Sequence, residues 1–590
     1  MYNQKYAIYQ VFTRLFGNKN TQHVPWGTIE QNGVGKFSDF TDKALSEIRK
    51  LGMTHIWYTG VPHHAIINDY KHTGISDDHP SVVKGRAGSP YAVKDYYSVN
   101  PDLAENPDRR LEEFEALIKR SHDNGLKVII DIVPNHVARH YKGLNNPEGV
   151  CDFGAQDDTT LEYHRDNNFY YIPNSIFELP DIEPAFTPLG GEQHPSLSSP
   201  FIETPAKWTG NGSRLAKPNF DDWYETVKIN YGVRPDGSKD FPKLPKDYAQ
   251  RDYREHHQFW ESVAVPSSWV KFRDIALFWL DKGVDGFRYD MAEMVPVEFW
   301  SYLNSSIKMK NQDAFLMAEV YQPDLYREYI HLGKMDYLYD KVDLYDGLKA
   351  IMQGKASTAI IPEIQHQMMD IEHHMLHFLD NHDEQRIASP EFVGNPHVAK
   401  PAMLVSALLS SSPTMIYFGQ EVGEPGAENA GFGQPSRTSI FDYIGVPQHQ
   451  KWMNNGAFDG ELLNNNEKQL LHFYQKVMNF SLEHSSMTGD YQDLHQCSNL
   501  SDSVYAFLRY DHQELTIVAA NFSQHTTENI HLKVPSDVIQ KLKLVDGRYI
   551  LNEHIEGIAQ QVLDIENSVG SLNIELKPLA SLAWVLPLNR

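Results

Sequence analysis

The chain has 590 residues, and 53 Lys and Arg against 78 Asp and Glu give a formal net charge of −25. This charge argues against a protein that binds nucleic-acid phosphates and against docking on an anionic membrane. A hydrophobic fraction of 41% and an aromatic fraction of 12% indicate a packed globular protein rather than a disordered chain. The two cysteines, Cys151 and Cys497, lie far apart in sequence, which argues against a disulfide framework and against a cysteine-ligated zinc site.

The N-terminal segment lacks the pattern of a targeting sequence. No basic region, long apolar run and small-residue cleavage site precede the first strand-like segment. The most apolar long stretch, residues 399–418, is interrupted by serines and a proline and predicts a buried helix that leads into a strand. We therefore expect no membrane segment. The expected location is cytoplasmic if Met1 is the native start, and periplasmic or secreted if a signal peptide was removed.

Strand-like runs alternate with helical patterns over the first 480 residues or so. Residues 39–51, 111–121 and 267–282 show helical spacing of apolar side chains, and a glycine follows each within four residues, which is typical of a helix end. Eight strands that alternate with helices predict an α/β fold of the (β/α)8 barrel type. The eight strand-like segments are residues 6–12, 55–61, 127–133, 285–290, 314–320, 335–340, 373–379 and 414–420.

Two departures from a plain barrel predict the domain organisation. The third and fourth strands are separated by far more chain than a βα unit needs, and this stretch is rich in Pro, Gly, Asn, Asp and aromatic residues. After the last long helix, short alternating runs predict an antiparallel β-sandwich. We therefore predict a barrel from residues 1–139 and 263–484, an inserted irregular domain at 140–262, and a C-terminal β-sandwich domain at 485–590.

The active sites of such barrels lie where the strands end, so polar residues at the strand ends are the first candidates. The fourth strand ends in Asp290, two residues after Arg288 and on the same side of the strand, and the guanidinium is expected to lower the pKa of that carboxyl. The fifth strand ends in Glu319 after an apolar run, which is expected to raise the pKa of the glutamate. The seventh strand leads to His382 and Asp383.

Two carboxylates with opposite pKa requirements are typical of glycoside cleavage, where one acts as nucleophile and the other as general acid. Each motif alone has a plainer interpretation. Arg288 and Asp290 could form a structural ion pair, Glu319 could simply emerge into solvent, and a histidine at a strand end, such as His136 after the third strand, is usually structural. Three carboxylates and two histidines at one predicted rim favour the catalytic interpretation.

Four ordered segments resemble the conserved sequence regions of the α-amylase family, glycoside hydrolase family thirteen. A fifth segment, SPYAVKDYY at 89–97, resembles the stretch that follows the family's second strand, and the predicted domain layout agrees over essentially the whole chain. The four segments are DIVPNH at 131–136, GFRYD at 286–290, AEVY at 318–321 and FLDNHD at 378–383.

The resemblance implies roles for individual residues. It implies that Asp290 is the nucleophile, Glu319 the general acid and base, and Asp383 the carboxylate that binds the sugar's 2- and 3-hydroxyls. It implies that Asn135 is a candidate ligand of a structural calcium ion. It further implies four substrate-binding residues: Tyr91, His136, Arg288 and His382.

The chain departs from typical endo-acting α-amylases after the nucleophile. Ala292 and Glu293 stand where those enzymes carry a Lys-His pair, and this is more similar to the neopullulanase and cyclomaltodextrinase branch. We expect a retaining hydrolase of α-1,4 or α-1,6 bonds in malto-oligosaccharides, cyclodextrins or starch. An α-glucan glycosyltransferase with the same triad, and a non-catalytic carbohydrate-binding relative, stay as alternatives. No required cofactor is expected, a structural calcium ion is left open, and the oligomeric state is not predicted.

Overall fold

The computed structural model describes residues 4–433 and 435–588. Eight parallel strands close into a barrel, in which each strand pairs with its predecessor and successor in the sequence and the last pairs with the first. This closed sheet confirms the predicted (β/α)8 barrel, and each of the eight strand-like segments supplies one strand. The barrel strands are Ala7–Phe12, His55–Thr59, Lys127–Ile132, Gly286–Tyr289, Phe315–Ala318, Tyr337–Tyr339, Met375–Phe378 and Thr414–Tyr417.

Helices cover the outside of the barrel with their apolar faces inward. In the helix Asp42–Lys50, for example, Ala44, Leu45 and Ile48 are buried, and the Thr41 side chain caps its N-terminus by accepting from the Ala44 N–H. The other barrel helices of six residues or more are Arg110–Asp123, Ser267–Asp281, Val297–Lys310, Tyr326–His331, Asp346–Met352, Ile360–Met368, Lys400–Leu408, Pro447–Met453 and Asn465–Glu483.

The fourth and fifth strands approach each other closely at Gly286. A Cβ atom on Gly286 would lie 2.2 Å from the carbonyl oxygen of Phe315, so glycine is required there. Pairing then runs in register from Gly286 with Phe315 to Tyr289 with Ala318. Asp290 and Glu319 are the next residues on the two strands, and they leave the sheet at the same level.

The stretch between the third and fourth strands is irregular, as its composition indicates. The predicted limits of the inserted domain, 140 and 262, fall just after the strand His136–Ala138 and the helix Tyr253–Glu261. His136–Ala138 pairs antiparallel with Thr226–Lys228, which ties the insertion to the loop after the third strand. A second antiparallel pair, Tyr171–Ile172 with Ala206–Lys207, lies within the insertion. The loop after the second strand also holds an antiparallel pair, Pro62–His64 with Val93–Val99.

The C-terminal region contains eight antiparallel strands in one continuous curled sheet. Strand Gly547–Glu553 joins the two halves, because its first part pairs with Gln561–Glu566 and its last two residues pair with Ser581–Pro587. The halves enclose a separate hydrophobic core that includes Leu508 and Leu572. The predicted antiparallel β domain is confirmed. Its remaining strands are Asp490–Asp493, Val504–Tyr510, Glu514–Asn521, Glu528–Val534 and Val569–Leu576, and its helices include Ser536–Lys541.

No helix among the described residues combines the length and apolar character that a membrane crossing requires.

Candidate active site

Arg288 lies at the centre of the carboxylate cluster and is fully buried. Its Nη1 atom donates to Oδ1 of Asp290 at 2.8 Å, and its Nη2 atom donates to Oε2 of Glu319 at 2.8 Å. The same Nη1 atom lies 3.3 Å from Oδ1 of Asp131, and Nε donates to the hydroxyl of Tyr339 at 3.2 Å. The planar guanidinium thus fixes both strand-end carboxylates relative to each other, which a lysine ammonium could not do with the same geometry.

The turn after Asp290 brings backbone donors to Glu319. Met291, directly after Asp290, has a positive φ of 44°, which is unusual for a residue with a long side chain and indicates local backbone strain. Its N–H donates to Oε2 of Glu319 at 3.0 Å, and the Ala292 N–H donates to the Glu319 carbonyl at 3.0 Å. Oε2 therefore receives donors from Arg288 and Met291, so a proton on this carboxyl group belongs on Oε1.

The side chain of Glu293 binds backbone N–H groups of a neighbouring loop. Its Oε2 atom accepts the N–H groups of Tyr321 at 2.9 Å and Gln322 at 3.0 Å, both in the loop that follows Glu319. The residue that departs from the endo-amylase pattern therefore connects the loop that follows Asp290 to the loop that follows Glu319. Ala292, the other departure, is fully buried.

Asp383 is positioned by a chain of hydrogen bonds through His382. The amide Nε2 of Gln10 donates to Nδ1 of His382 at 2.8 Å, which leaves the ring proton on Nε2. Nε2 lies 3.0 Å from Oδ2 of Asp383 and also contacts the hydroxyl of Tyr91. The Tyr91 ring stacks on the His382 ring with centroids 5.3 Å apart. His382 thereby holds the orientation of both Asp383 and Tyr91.

A pocket of about 370 Å³ opens over the three carboxylates, a size within the range of small-molecule sites. Five of the seven predicted site residues line it: Tyr91, His136, Asp290, Glu319 and Asp383. The structure places Arg288 and His382 behind this wall, almost completely buried, where they contact the carboxylates. Their assignment as residues that touch substrate stays a prediction. Further lining residues include Lys84, Trp223, Glu225, Tyr321, Arg437 and Phe441.

The three carboxylates have different proton affinities. Burial raises the pKa of Glu319 to about 7, with Asp290 and Asp383 adding to the shift and Arg288 opposing it. Burial in the cleft also acts to raise the pKa of Asp383, but His382, Arg288 and Arg437 together outweigh it. The net effect is a lowering of the Asp383 pKa to about 2. Burial raises the pKa of Asp290 despite the adjacent Arg288. The expected lowering of the Asp290 pKa by Arg288 is therefore wrong in its net direction, because desolvation outweighs the ion pair.

His136 lies at the pocket edge and contacts Asn135. The Nδ2 group of Asn135 donates to Nδ1 of His136 at 3.0 Å and to the carbonyl of Gly210 at 2.8 Å. Burial lowers the pKa of His136 to about 3, so its ring is neutral at ordinary pH. Its ring centroid lies 5.3 Å from that of Trp223, a residue with a positive φ of 56°.

Asn135 does not offer its side-chain oxygen to a calcium ion in this arrangement. Its Oδ1 atom accepts a hydrogen bond from the ammonium of Lys228. Calcium takes six to eight oxygen ligands, commonly with carboxylates among them. Among the described residues, no group of three or more His, Cys, Asp or Glu side chains could hold a metal ion. The residues present at Asn135 therefore do not fit a calcium site.

Two residues that support the site were not predicted from the sequence. Asp131 accepts the indole N–H of Trp57 at 2.9 Å as well as contacting Arg288, and Gln10 holds His382. A signal for both was present in the sequence, because each is a polar residue inside an otherwise apolar barrel strand, Lys127–Ile132 and Ala7–Phe12 respectively. Such a residue must find a hydrogen-bond partner in the barrel interior.

Comparison with known proteins agrees with this geometry. The chain matches the α-amylase catalytic domain over residues 10–174 and 254–455. It is 20% identical to α-amylase 3 of Dictyoglomus thermophilum over 92% of this chain and 91% of that protein. It is 20% identical to a cyclomaltodextrinase of a Bacillus species over 87% of this chain and 72% of that protein, which supports the expected branch.

Among solved structures, a maltogenic α-amylase of Thermotoga neapolitana shares the fold. It superposes with a TM-score of 0.59 at 16% identity and covers 98% of this chain and 99% of that chain. The match to the catalytic domain extends over more than half of the residues and contains the strands that carry Asp290, Glu319 and Asp383. The chain belongs to the α-amylase family.

Proposed function

We propose that the protein is a retaining glycoside hydrolase that cleaves α-glucosidic bonds in short or cyclic glucans. The observation that carries this proposal is the pair Asp290 and Glu319, held at one level by the two Nη atoms of Arg288. Retaining enzymes place their two carboxyl groups about 5–5.5 Å apart, whereas inverting enzymes need about 6.5–9.5 Å to admit a water molecule. Asp290 and Glu319 contact one guanidinium and follow paired strands. This arrangement favours the shorter separation.

In the first step, Glu319 acts as the general acid. Its proton passes to the glycosidic oxygen while a carboxylate oxygen of Asp290 attacks C1 of the sugar. The bond between C1 and the glycosidic oxygen breaks, the leaving sugar departs as an alcohol, and a covalent β-glycosyl ester forms on Asp290. The raised pKa of Glu319, about 7, is suited to an acid that must hold its proton near neutral pH.

In the second step, Glu319 acts as the base. Its carboxylate takes a proton from water, the water oxygen attacks C1, and the ester bond to Asp290 breaks. Two inversions at C1 give a product of α-configuration. Arg288 remains charged throughout and stabilises whichever of the two carboxylates is ionised.

Asp383 supports the charge that develops on the sugar ring. Its pKa of about 2 keeps it ionised at any pH at which the enzyme would work. A permanent negative charge beside C1 stabilises an oxocarbenium-like transition state, and the carboxylate oxygens are available to the 2- and 3-hydroxyls. Because Tyr91 also lines the pocket, its ring is available to the apolar face of the same sugar.

The substrate class follows from the family, the branch and the pocket. Two of the matched relatives are named cyclomaltodextrinase and neopullulanase 2, the latter from Thermoactinomyces vulgaris and 21% identical over 90% of this chain. The pocket volume of about 370 Å³ and its wall of Trp223, Tyr321 and Phe441 favour binding of a few sugar units. We therefore assign malto-oligosaccharides and cyclodextrins as preferred substrates over long starch chains.

The test is a product profile and kcat/KM on maltoheptaose, β-cyclodextrin, pullulan and soluble starch in one buffer. Higher kcat/KM on the heptaose or the cyclodextrin than on starch supports the proposal. A clear preference for starch with long products at random would contradict the substrate class, and products longer than the substrate would favour the transferase alternative. The Asp290→Asn variant, purified identically, measures any contaminating amylase.

A further inference from the structure

The ammonium group of Lys228 joins three segments of the chain. Lys228 ends the strand Thr226–Lys228 of the inserted region. Its Nζ atom donates to Oδ1 of Asn135, which follows the third barrel strand, and to the carbonyl oxygen of Met294 at 3.2 Å, in the short helix after Asp290. One cation therefore connects the insertion with the loops that follow the third and fourth strands.

The acceptors around Lys228 are neutral oxygens. In the parts of the chain that the structure describes, no carboxylate lies within 4.0 Å of its Nζ atom, in contrast to Lys84, which pairs with Glu225 at 2.9 Å. An amide oxygen and a backbone carbonyl are the kinds of ligand that hard metal cations take in proteins. The ammonium and a divalent ion could not share Oδ1 of Asn135, because two positive charges at one oxygen repel each other.

We propose that Lys228 serves as an internal cation that takes the place of a bound calcium ion between the inserted region and the barrel. The covalent tether supplies the cation without any dependence on the metal concentration. Burial lowers the pKa of Lys228 to about 7, so the charged form is present at and below neutral pH. It also fixes Asn135, whose Nδ2 group donates to Nδ1 of His136 at 3.0 Å. Lys228 is thus a positioning residue for the pocket wall, two hydrogen bonds away from His136.

The first arm of the test uses the wild-type protein. Its Tm is measured after dialysis against EDTA and again during titration with Ca²⁺, with Mg²⁺ as the control ion. A ligand that binds only the folded state raises Tm as its concentration rises. We expect the same Tm in EDTA and in millimolar Ca²⁺. A Ca²⁺-specific rise in Tm that disappears in the Asn135→Ala variant would overturn the proposal.

The second arm uses Lys228→Met with Lys207→Met as its matched control. Lys207 is also in a short strand of the insertion, but its nearest charged partner, Glu203 at 3.4 Å, is in the same region. We expect Lys228→Met to lower Tm more than Lys207→Met and to speed limited proteolysis within residues 140–262. Equal Tm and equal cleavage for the two variants would contradict the joining role.

Lys228→Arg keeps the positive charge that Lys228→Met removes, so the two variants together show whether the charge is what matters. We expect it to retain more of the wild-type Tm than Lys228→Met. If Lys228→Met fails to fold, the comparison of Lys228→Arg with Lys207→Met and the wild-type calcium titration still decide the question. All of these measurements concern stability, so their outcome is independent of whether the proposed hydrolase activity is correct.

Discussion

The Nη2 atom of Arg288 lies 2.8 Å from Oε2 of Glu319, and its Nη1 atom is used for Asp290. In the proposed mechanism, the same guanidinium thus holds the residue that must be ionised and the residue that must carry a proton. A cation beside Glu319 favours the carboxylate form, yet the pKa of Glu319 is raised to about 7 because burial and the nearby carboxylates outweigh it. Burial, together with the charges of Asp290 and Asp383, therefore keeps a proton on Glu319 despite its contact with Arg288.

Replacing Arg288 by lysine should show whether the positive charge alone is enough or whether the planar guanidinium is needed. Lysine keeps one positive charge but cannot donate to both carboxylates from the two arms of a planar group. We expect kcat to fall by roughly 10²-fold, the scale of a misplacement of about 1 Å in a catalytic group. Arg386→Lys is the matched control, since Arg386 is equally buried but contacts Asp380 and Thr438 instead. Activity per folded molecule that falls equally in both variants would contradict a specific role of Arg288.

The Asp290→Asn variant should lose turnover by several powers of ten, because an amide oxygen does not form the covalent ester. Asp285→Asn is the control, because Asp285 directly precedes the fourth strand, at the end opposite to Asp290, and contacts His122 at 2.6 Å. We expect the control to lose stability rather than turnover. Steady-state kinetics with circular dichroism on each variant checks this. A folded Asp290→Asn protein with more than about a tenth of wild-type kcat would exclude Asp290 as nucleophile.

The pH dependence of kcat/KM follows from the protonation states that the proposed mechanism requires of Glu319 and Asp290. Glu319 must be protonated, so activity is present below its pKa and is lost as pH rises through about 7. Asp290 must be ionised, so activity is lost as pH falls through its raised pKa. We expect a bell-shaped profile whose limbs belong to the coupled pair rather than to single residues.

Glu319→Gln identifies the alkaline limb. On α-maltosyl fluoride, whose leaving group needs no proton, the variant should still form the glycosyl-enzyme, and its kcat/KM should not fall as pH rises through 7. Wild-type enzyme on maltoheptaose provides the comparison. An alkaline limb at the same pH in Glu319→Gln would assign that limb to a different group.

Glu293 should matter for turnover although it does not line the pocket. Removing its carboxylate in Glu293→Ala leaves the N–H groups of Tyr321 and Gln322 without their acceptor, so the loop after Glu319 loses its fixed position. We expect kcat to fall by about 10-fold or more with a smaller change in KM. Glu293→Gln keeps an acceptor oxygen and should restore most of the activity. The exposed Glu328→Ala is the control, and equal kinetics for Glu293→Ala and Glu328→Ala would refute the positioning role.

The barrel could be predicted from the sequence because each of its strands is a short apolar run between amphipathic helices. In the C-terminal sheet, the sequence signal differs from strand to strand. Its strands Asp490–Asp493, Gly547–Glu553 and Gln561–Glu566 lack a clear alternation of apolar and polar residues, since most of their side chains are at least partly exposed. Such strands are stabilised by pairing with their neighbours rather than by burial of their own residues, so the sequence carries little signal for them.

The catalytic candidates could be found because a strand end fixes where a side chain lies in a barrel. Contacts between distant segments could not be found in this way. Arg288 and Glu319 are 31 residues apart, and Asn135 and Lys228 are 93 residues apart. The first contact depends on the register of two strands, and the second depends on the path of an irregular insertion whose pairing no local pattern specifies. The net pKa of Asp290 was mispredicted for the same reason, because the extent of burial is a property of the folded chain.

The stereochemistry of the first product tests the central claim, double displacement through Asp290 and Glu319, most directly. Maltoheptaose or β-cyclodextrin is digested with enough enzyme to finish within the time of mutarotation, and proton NMR records the anomeric signals from the first minute. The account predicts that the newly formed reducing end appears as the α-anomer and that the β-anomer grows only later, at the rate of spontaneous mutarotation. Initial appearance of the β-anomer would show a single displacement by water and would contradict a nucleophilic Asp290.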